Sequence, residues 1–250
     1  GILPYDGSSW ADFDNDGNID MCTVTWYDSI SVLYKNNGSG SFTFLGSSPI
    51  VTDRGFSESC SWGDYDKDGL VDLFVCNSKS SGSRNRLYKN LGGGNFSRID
   101  SGAIYLDVGY LSRCVNWVDL DIFVANESGP ADYMYKNNGA GYFTKVTGIP
   151  PVSTAGVSWS SSWGDYDNDG DPDLFVANSE NQKNLLFRND GNFTFTRILG
   201  DPLVNENGYQ ASSGWGDYDN DGDLDMFITQ AYGPAGVRLP NLMFKNRLME

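Results

Sequence analysis

The sequence predicts an all-β chain: a β-propeller of about five four-stranded blades, forming one domain over residues 1–250, with the last blade incomplete. Three observations lead there. One motif ending in Asp recurs at Asp20, Asp72, Asp121, Asp173 and Asp225, at steps of 52, 49, 52 and 52 residues. Each repeat holds four short apolar or aromatic runs separated by Gly/Asn-rich turns, which is the size and content of one propeller blade. The run that follows each motif, such as Leu-Phe-Val-Ala at 174–177, is apolar on both faces, as a strand packed between two neighbouring sheets requires.

Four of the five repeats carry an acidic loop. In the stretch 163–178, WGDYDNDGDPDLFVAN, Asp165, Asp167, Asp169 and Asp173 stand at positions 1, 3, 5 and 9, with Gly170 at position 6. Four carboxylates this close repel one another unless a cation sits among them. A hard ion taking six to eight oxygens matches Asp side chains, a backbone carbonyl at position 7 (Asp171) and water, which points to calcium. Gly170 permits the positive φ that wraps the backbone around an ion. Position 12 is Val176 rather than the bidentate Glu of an EF-hand, and a strand follows, not a helix. The same set recurs as Asp12, Asp14, Asp16 and Asp20 with Asn18 at position 7; as Asp64, Asp66, Asp68 and Asp72 with Leu70; and as Asp217, Asp219, Asp221 and Asp225 with Asp223. The third copy, SRCVNWVDLDIFVAN at 112–126, keeps its strand. Anchored on Asp121, its ligand positions become Arg113, Val115 and Trp117; anchored on Trp117, its loop is deleted. Four calcium ions are expected, and none in the third repeat.

A second signature follows the strand: LYKN at 33–36 and 87–90, MYKN at 134–137, LFRN at 186–189 and MFKN at 243–246. A turn then leads to Phe42, Phe96, Phe143 and Phe195, each six residues beyond the signature Asn, so this part reads as a β-hairpin. The next repeat begins with its Trp: Trp62, Trp117, Trp163 or Trp215. Repeat units of about 1–46, 47–100, 101–148, 149–200 and 201–250 result. The last lacks residues for a fourth strand, and Gly1 lies too close to Trp10 to supply one. A three-stranded closing blade, a strand added by a neighbouring chain, or membership of a longer protein would each account for this.

The loop-strand DxDxDGxxDLxVxN followed by NxLYKNxGxGxF resembles the FG-GAP or VCBS repeat of integrin α-subunit propellers and of many secreted bacterial proteins. The variant WGDYDNDGD(L/P)DLFVAN is most similar to repeats that accompany ASPIC/UnbV-type domains. The resemblance spans essentially the whole chain. It implies a propeller with calcium in the hairpin loop between the first two strands of a blade, and it implies no single activity, since such repeats serve adhesion, lectin-like and enzyme-attached roles.

Composition fits a soluble extracellular or cell-surface domain. The net charge of −16 arises in the loops: their 16 ligand Asp leave 17 acidic residues against 17 Lys and Arg. Four calcium ions would halve it to −8, and without them the loops should loosen. Basic patches for nucleic acid are absent, as is any apolar run of membrane-spanning length. Buried free thiols are expected at Cys22, Cys60, Cys76 and Cys114; a Cys60–Cys76 disulfide across the second loop is the alternative. Asn37, Asn95, Asn126 and Asn192 head N-x-S/T triplets, which Asn-rich turns also produce by chance.

The chain has no His, nucleophile elbow or phosphate loop, so no catalytic residue is assigned. The pair Asp201 and Glu206 reads as solvated loop acids. Trp10, Trp62, Trp163 and Trp215 recur in register and read as packing residues. Trp26, Tyr27, Tyr105, Tyr110, Trp159, Tyr209 and Tyr232 fall outside the register and are candidate ligand-stacking rings. The expected function is a non-enzymatic, calcium-stabilised module for adhesion or binding to a protein or carbohydrate. A structural subunit assembling by strand complementation, and a lectin-like or polysaccharide-degrading enzyme domain, are the alternatives.

Overall fold

The computed structural model describes residues 6–78, 84–108, 110–231 and 233–246. They form five antiparallel meanders. The first runs through Gly7–Ala11, Asp20–Val24, Val32–Asn36 and Phe42–Phe44; the second through Ser57–Gly63, Asp72–Asn77, Arg86–Asn90 and Phe96–Arg98. The third comprises Ser112–Val118, Asp121–Asn126, Tyr133–Asn137 and Phe143–Lys145; the fourth, Ser158–Gly164, Asp173–Asn178, Leu185–Asn189 and Phe195–Ile198. The fifth has three strands among the described residues, Gln210–Gly216, Asp225–Gln230 and Leu242–Phe244. This is the β-propeller class. No helix among the described residues is long and apolar enough to cross a membrane.

The second strand of a sheet is its most buried element: all six residues of Asp72–Asn77 and of Asp173–Asn178 are buried. Their unbroken apolar runs follow from burial on both faces. In the second sheet Trp62 lies opposite Leu73 and Gly63 opposite Asp72, and the same register recurs as Trp163 opposite Leu174 and Trp215 opposite Met226.

Two compact units divide the chain, Gly1–Val124 with Tyr135–Lys145, and Ala125–Met134 with Val146–Glu250. In the first, Phe13, Leu33, Ile50, Leu73, Tyr88 and Phe96 share a core. Trp62 stacks on Phe13 at 6.0 Å, and the signature Asn90 donates through Nδ2 to the Phe13 carbonyl at 2.7 Å. One sheet further on, Asn137 donates to the Tyr65 carbonyl at 2.6 Å, and Trp117 donates through Nε1 to the Ser61 carbonyl at 3.1 Å. The second unit repeats the pattern: Trp215 stacks on Tyr166 at 6.2 Å, and Asn246 donates to the Tyr166 carbonyl at 2.7 Å. Asn90, Asn137 and Asn246 are therefore clamps from one sheet onto the acidic loop of the sheet before it, whereas Asn36 and Asn189 donate to the Ile19 and Pro172 carbonyls of their own repeats. Trp10 keeps the strand register, lying opposite Met21, yet it meets Phe42 edge-on and is 54% exposed.

None of the four cysteines is in a disulfide; Cys22, Cys60 and Cys76 are buried as expected, whereas Cys114 is half-buried. Cys60 lies opposite Val75 and Cys76 opposite Ser59, so this one-residue offset points the two thiols to opposite faces of the sheet and the disulfide alternative does not form. Of the four glycosylation triplets, Asn126 is 1% exposed and donates to the Ala131 carbonyl, whereas Asn37, Asn95 and Asn192 are exposed.

One buried carboxyl breaks the pattern of the repeats. Where the second and fourth repeats use Asn85 and Asn184 to receive a backbone N–H, the third has Asp132, 3% exposed. Its Oδ1 accepts the Asn126 N–H at 2.8 Å, and its Oδ2 lies 3.0 Å from the Ser158 hydroxyl, which also reaches Asn178 Oδ1 at 3.1 Å. Burial pushes Asp132 up to about 7. A carboxyl with a raised folded pKa loses stability as pH climbs above its unfolded value, and the loss levels off beyond the folded value. Asp132→Asn, which copies the Asn85 arrangement, should therefore remove part of the decline between pH 4 and 7 and stabilise the chain at pH 8 by a few (~2–4) kcal/mol. Urea denaturation at pH 5 and pH 8 reads this; an unchanged difference between the two would contradict it.

Candidate metal centres

The four intact loops are built by the same hydrogen bonds. The position 1 carboxylate (Asp12, Asp64, Asp165, Asp217) accepts the backbone N–H groups of positions 5 and 6 at 2.8–3.1 Å. The position 6 glycines sit at φ of 87°, 88°, 97° and 93°, where a side chain would be strained. The position 5 carboxylate (Asp16, Asp68, Asp169, Asp221) accepts the N–H of position 7 at 2.9–3.1 Å. The position 9 carboxylate (Asp20, Asp72, Asp173, Asp225) is at most 1% exposed, and accepts the position 2 N–H through one oxygen and the signature Asn N–H through the other.

Position 3 differs. Asp14, Asp66 and Asp167 each bury an Oδ1 that has no hydrogen-bond partner. In every intact loop one carboxylate oxygen from each of positions 1, 3 and 9 lies within 4.8 Å of the other two. Position 5 stays outside this triad. Of the position 7 residues, Asp223 is buried and accepts Asn168 Nδ2 at 2.9 Å, Asp171 is exposed, and Asn18 and Leu70 are half-buried.

The field among these acids is strong. Burial, with the neighbouring loop acids adding to it, pushes Asp72 and Asp173 up to about 7 against the hydrogen bonds they accept. Burial, then repulsion from Asp169, raises Asp167. The Lys35 ammonium holds Asp16 below the usual carboxylate range. Converging oxygens, net negative charge and a buried, unpartnered carboxylate atom are what a hard divalent cation needs, so the residues fit one.

The third repeat has replaced its loop with the two-residue turn Asp119–Leu120 at φ of 46° and 71°, the backbone of a tight hairpin. The strand Ser112–Val118, which holds Trp117, runs directly into this turn. Arg113 pairs with Glu58 at 2.7 Å and Val115 is buried. Asp121 nevertheless persists, accepting the Asn137 N–H at 2.6 Å. The last Asp of the motif therefore has a structural task that needs no loop.

The model of the FG-GAP-like repeat matches residues 12–75, 64–121, 118–176 and 165–228, and three of these four spans begin at a position 1 Asp. The chain belongs to the FG-GAP-like repeat family. No curated protein is similar enough in sequence to count as a relative. Among solved structures, a lectin of Agrocybe aegerita recognising non-reducing terminal N-acetylglucosamine is similar with a TM-score of 0.60 at 18% identity, over 96% of this chain and 66% of that one. A candidate gluconolactonase is similar with a TM-score of 0.56 at 9% identity, over 98% of this chain and 80% of that one. Both likenesses are of fold. The chain spans just under two thirds of the lectin's length.

Beside the loops of the FG-GAP-like repeats lie two cavities. One, of about 320 Å³, is lined by Tyr65, Asp66, Ile99, Ile104, Tyr142 and Phe143. The other, of about 370 Å³, is lined by Tyr166, Asp201, Leu203, Trp215, Phe244 and Lys245. Tyr142 is 73% exposed and was missed by the sequence reading; its signal is that the residue before the turn Phe is Ser41, Asn95 or Thr194 in the other repeats. Of the candidate stacking rings, Tyr27 is exposed, Trp26 is bonded to the Ser78 hydroxyl at 2.7 Å, and Tyr105 lies 4.3 Å beneath the Arg84 guanidinium. Tyr110, Trp159 and Tyr209 are half-buried, and Tyr232 lies outside the described residues. Asp201 accepts the Leu203 N–H at 2.8 Å as the cap of a short helical turn, and Glu206 is exposed.

Proposed function

We propose that this chain is a calcium-stabilised extracellular module that binds a glycan or protein ligand without turning it over. The observation that carries the reading is the set of four carboxylate triads, three of which hold a buried, unpartnered oxygen at Asp14, Asp66 or Asp167. Each ion takes the Asp side chains of positions 1, 3, 5 and 9, with the carbonyl of Asn18, Leu70, Asp171 or Asp223 completing the oxygen shell. Extracellular fluid holds enough calcium to fill loops of modest affinity, which supports that compartment. The loop variant groups these repeats with those accompanying ASPIC/UnbV-type domains.

The ligand site is the cavity beside the second loop. Tyr65 and Tyr142 offer ring faces, Asp66 offers a carboxylate, and the volume of about 320 Å³ suits one or two sugar rings. The likeness in fold to a lectin supports a glycan before a protein ligand. Because Asp66 belongs both to the cavity wall and to the second loop, ligand binding depends on calcium. Tyr142→Ala is expected to lower glycan affinity about tenfold while leaving the bound ion count unchanged. Glycan-array binding followed by titration of the best sugar reads this; release of reducing ends from the bound sugar would show an enzyme instead, and binding indifferent to Tyr142 would place the site elsewhere.

A second reading, assembly between chains, is favoured by the fifth sheet. Phe227 and Met243 are 45% and 46% exposed there, whereas their counterparts Phe74, Phe175, Leu87 and Leu186 are at most 3% exposed. A mass in solution that rises with concentration would favour it.

A further inference from the structure

In three of the four loops the cation position is contested by the chain's own lysine. The third residue of the hairpin signature is lysine in the first, second and fifth repeats, and its ammonium reaches the carboxylates of positions 3 and 5. Lys35 pairs with Asp14 and, at 2.9 Å, with Asp16. Lys89 pairs with Asp66 and, at 3.1 Å, with Asp68. Lys245 pairs with Asp219 at 2.8 Å and with Asp221 at 3.2 Å.

The fourth repeat departs at two linked places. Arg188 stands where the lysine would be, and Asp190 stands where the first and second repeats have Asn37 and Leu91. Arg188 Nε donates to Asp190 Oδ1 at 2.7 Å, and the other Asp190 oxygen takes the Thr196 hydroxyl at 2.6 Å. Among the described residues Arg188 makes an ion pair with neither Asp167 nor Asp169, and its charge acts on Asp167 only from a distance. The guanidinium is a planar fork, and the carboxylate beside it fixes its direction away from the loop.

We propose that the signature lysine competes with the divalent cation, so that the fourth loop, freed from it by the Arg188–Asp190 pair, is the high-affinity calcium site and the other three fill only at higher calcium. This rests on the reading of the loops as calcium sites. The physical ground is simple. An ammonium already in contact with two of the carboxylates neutralises part of the field that would draw calcium in, and an arriving ion must displace it or share its ligands. Losing that competition raises affinity at one loop without any change in the ligands themselves. The fourth ion is then a permanent structural ion. The second loop, whose Asp66 walls the cavity beside Tyr142, responds to calcium concentration, so ligand binding by the first unit is gated by calcium.

The test is a calcium titration of the chelator-stripped full chain by calorimetry. One ion should bind about tenfold or more tightly than the remaining three. Asp167→Ala should abolish the tight ion and leave the weak class intact. The double variant Arg188→Lys with Asp190→Asn should move the fourth site into the weak class while four ions still bind, and Lys35→Met, a change in the other unit, should create a second tight site. Four ions of one affinity, or a tight ion that survives Asp167→Ala, would overturn the proposal while sparing the calcium reading. Absence of any bound ion would overturn both.

Discussion

Stripping calcium from this chain with a chelator is expected to lower its melting temperature by ~10 °C or more, because each ion bound only by the folded state adds about 2.7 kcal/mol at a hundredfold excess over its dissociation constant. The origin lies in the loops. Three carboxylates converge within 4.8 Å in each, and in the fourth repeat no ammonium or guanidinium among the described residues pairs with Asp167 or Asp169. Without a cation that repulsion opposes the fold, and protonation relieves only part of it. Magnesium should restore less, since it demands a tighter octahedral shell than four carboxylates and a carbonyl can form. Calorimetric scans in chelator, calcium and magnesium make the comparison; equal melting temperatures in all three would contradict it.

Asp72→Ala should be the most damaging of the single loop substitutions, costing ~3–5 kcal/mol even in chelator, where no ion contributes. Asp72 is fully buried, and its two oxygens accept the Tyr65 N–H at 3.1 Å and the Asn90 N–H at 2.7 Å. Alanine leaves both donors unpaired in the interior, where each costs on the order of 1–3 kcal/mol. Asn90 is also the clamp onto the Phe13 carbonyl, so the loss spreads to the packing of the first sheet on the second. Asp68→Ala removes an exposed carboxylate and should cost well under half as much. Urea denaturation of the two variants in chelator separates these effects; equally mild losses would show that position 9 serves the metal alone.

The repeats, the sheets and the four acidic clusters were legible because each rests on local chemistry. The spacing of Asp12, Asp14, Asp16 and Asp20 specifies a loop whatever surrounds it, and the apolar run at Leu174 to Ala177 specifies a strand with both faces covered. The double duty of position 9 was not legible. Asp121 stands without a loop, and only the fold shows it as the acceptor for the Asn137 N–H. The clamp of the signature Asn onto the preceding loop appears only when two repeats, 77 residues apart for Asn90 and Phe13, come together. Trp10 shows the converse: it holds the same strand register as Trp62 and is nevertheless 54% exposed, since register alone does not supply a ring to cover the indole. The pairing of Arg188 with Asp190 was visible as two departures from the repeat, but their meaning depends on where the Lys35 and Lys89 ammonium groups lie.

The most direct test of the account is the number of calcium ions held by the native chain, read by mass spectrometry under non-denaturing conditions. The four triads predict four ions for the unaltered protein and three for Asp167→Ala. No bound ion, or a count that Asp167→Ala leaves unchanged, would contradict it.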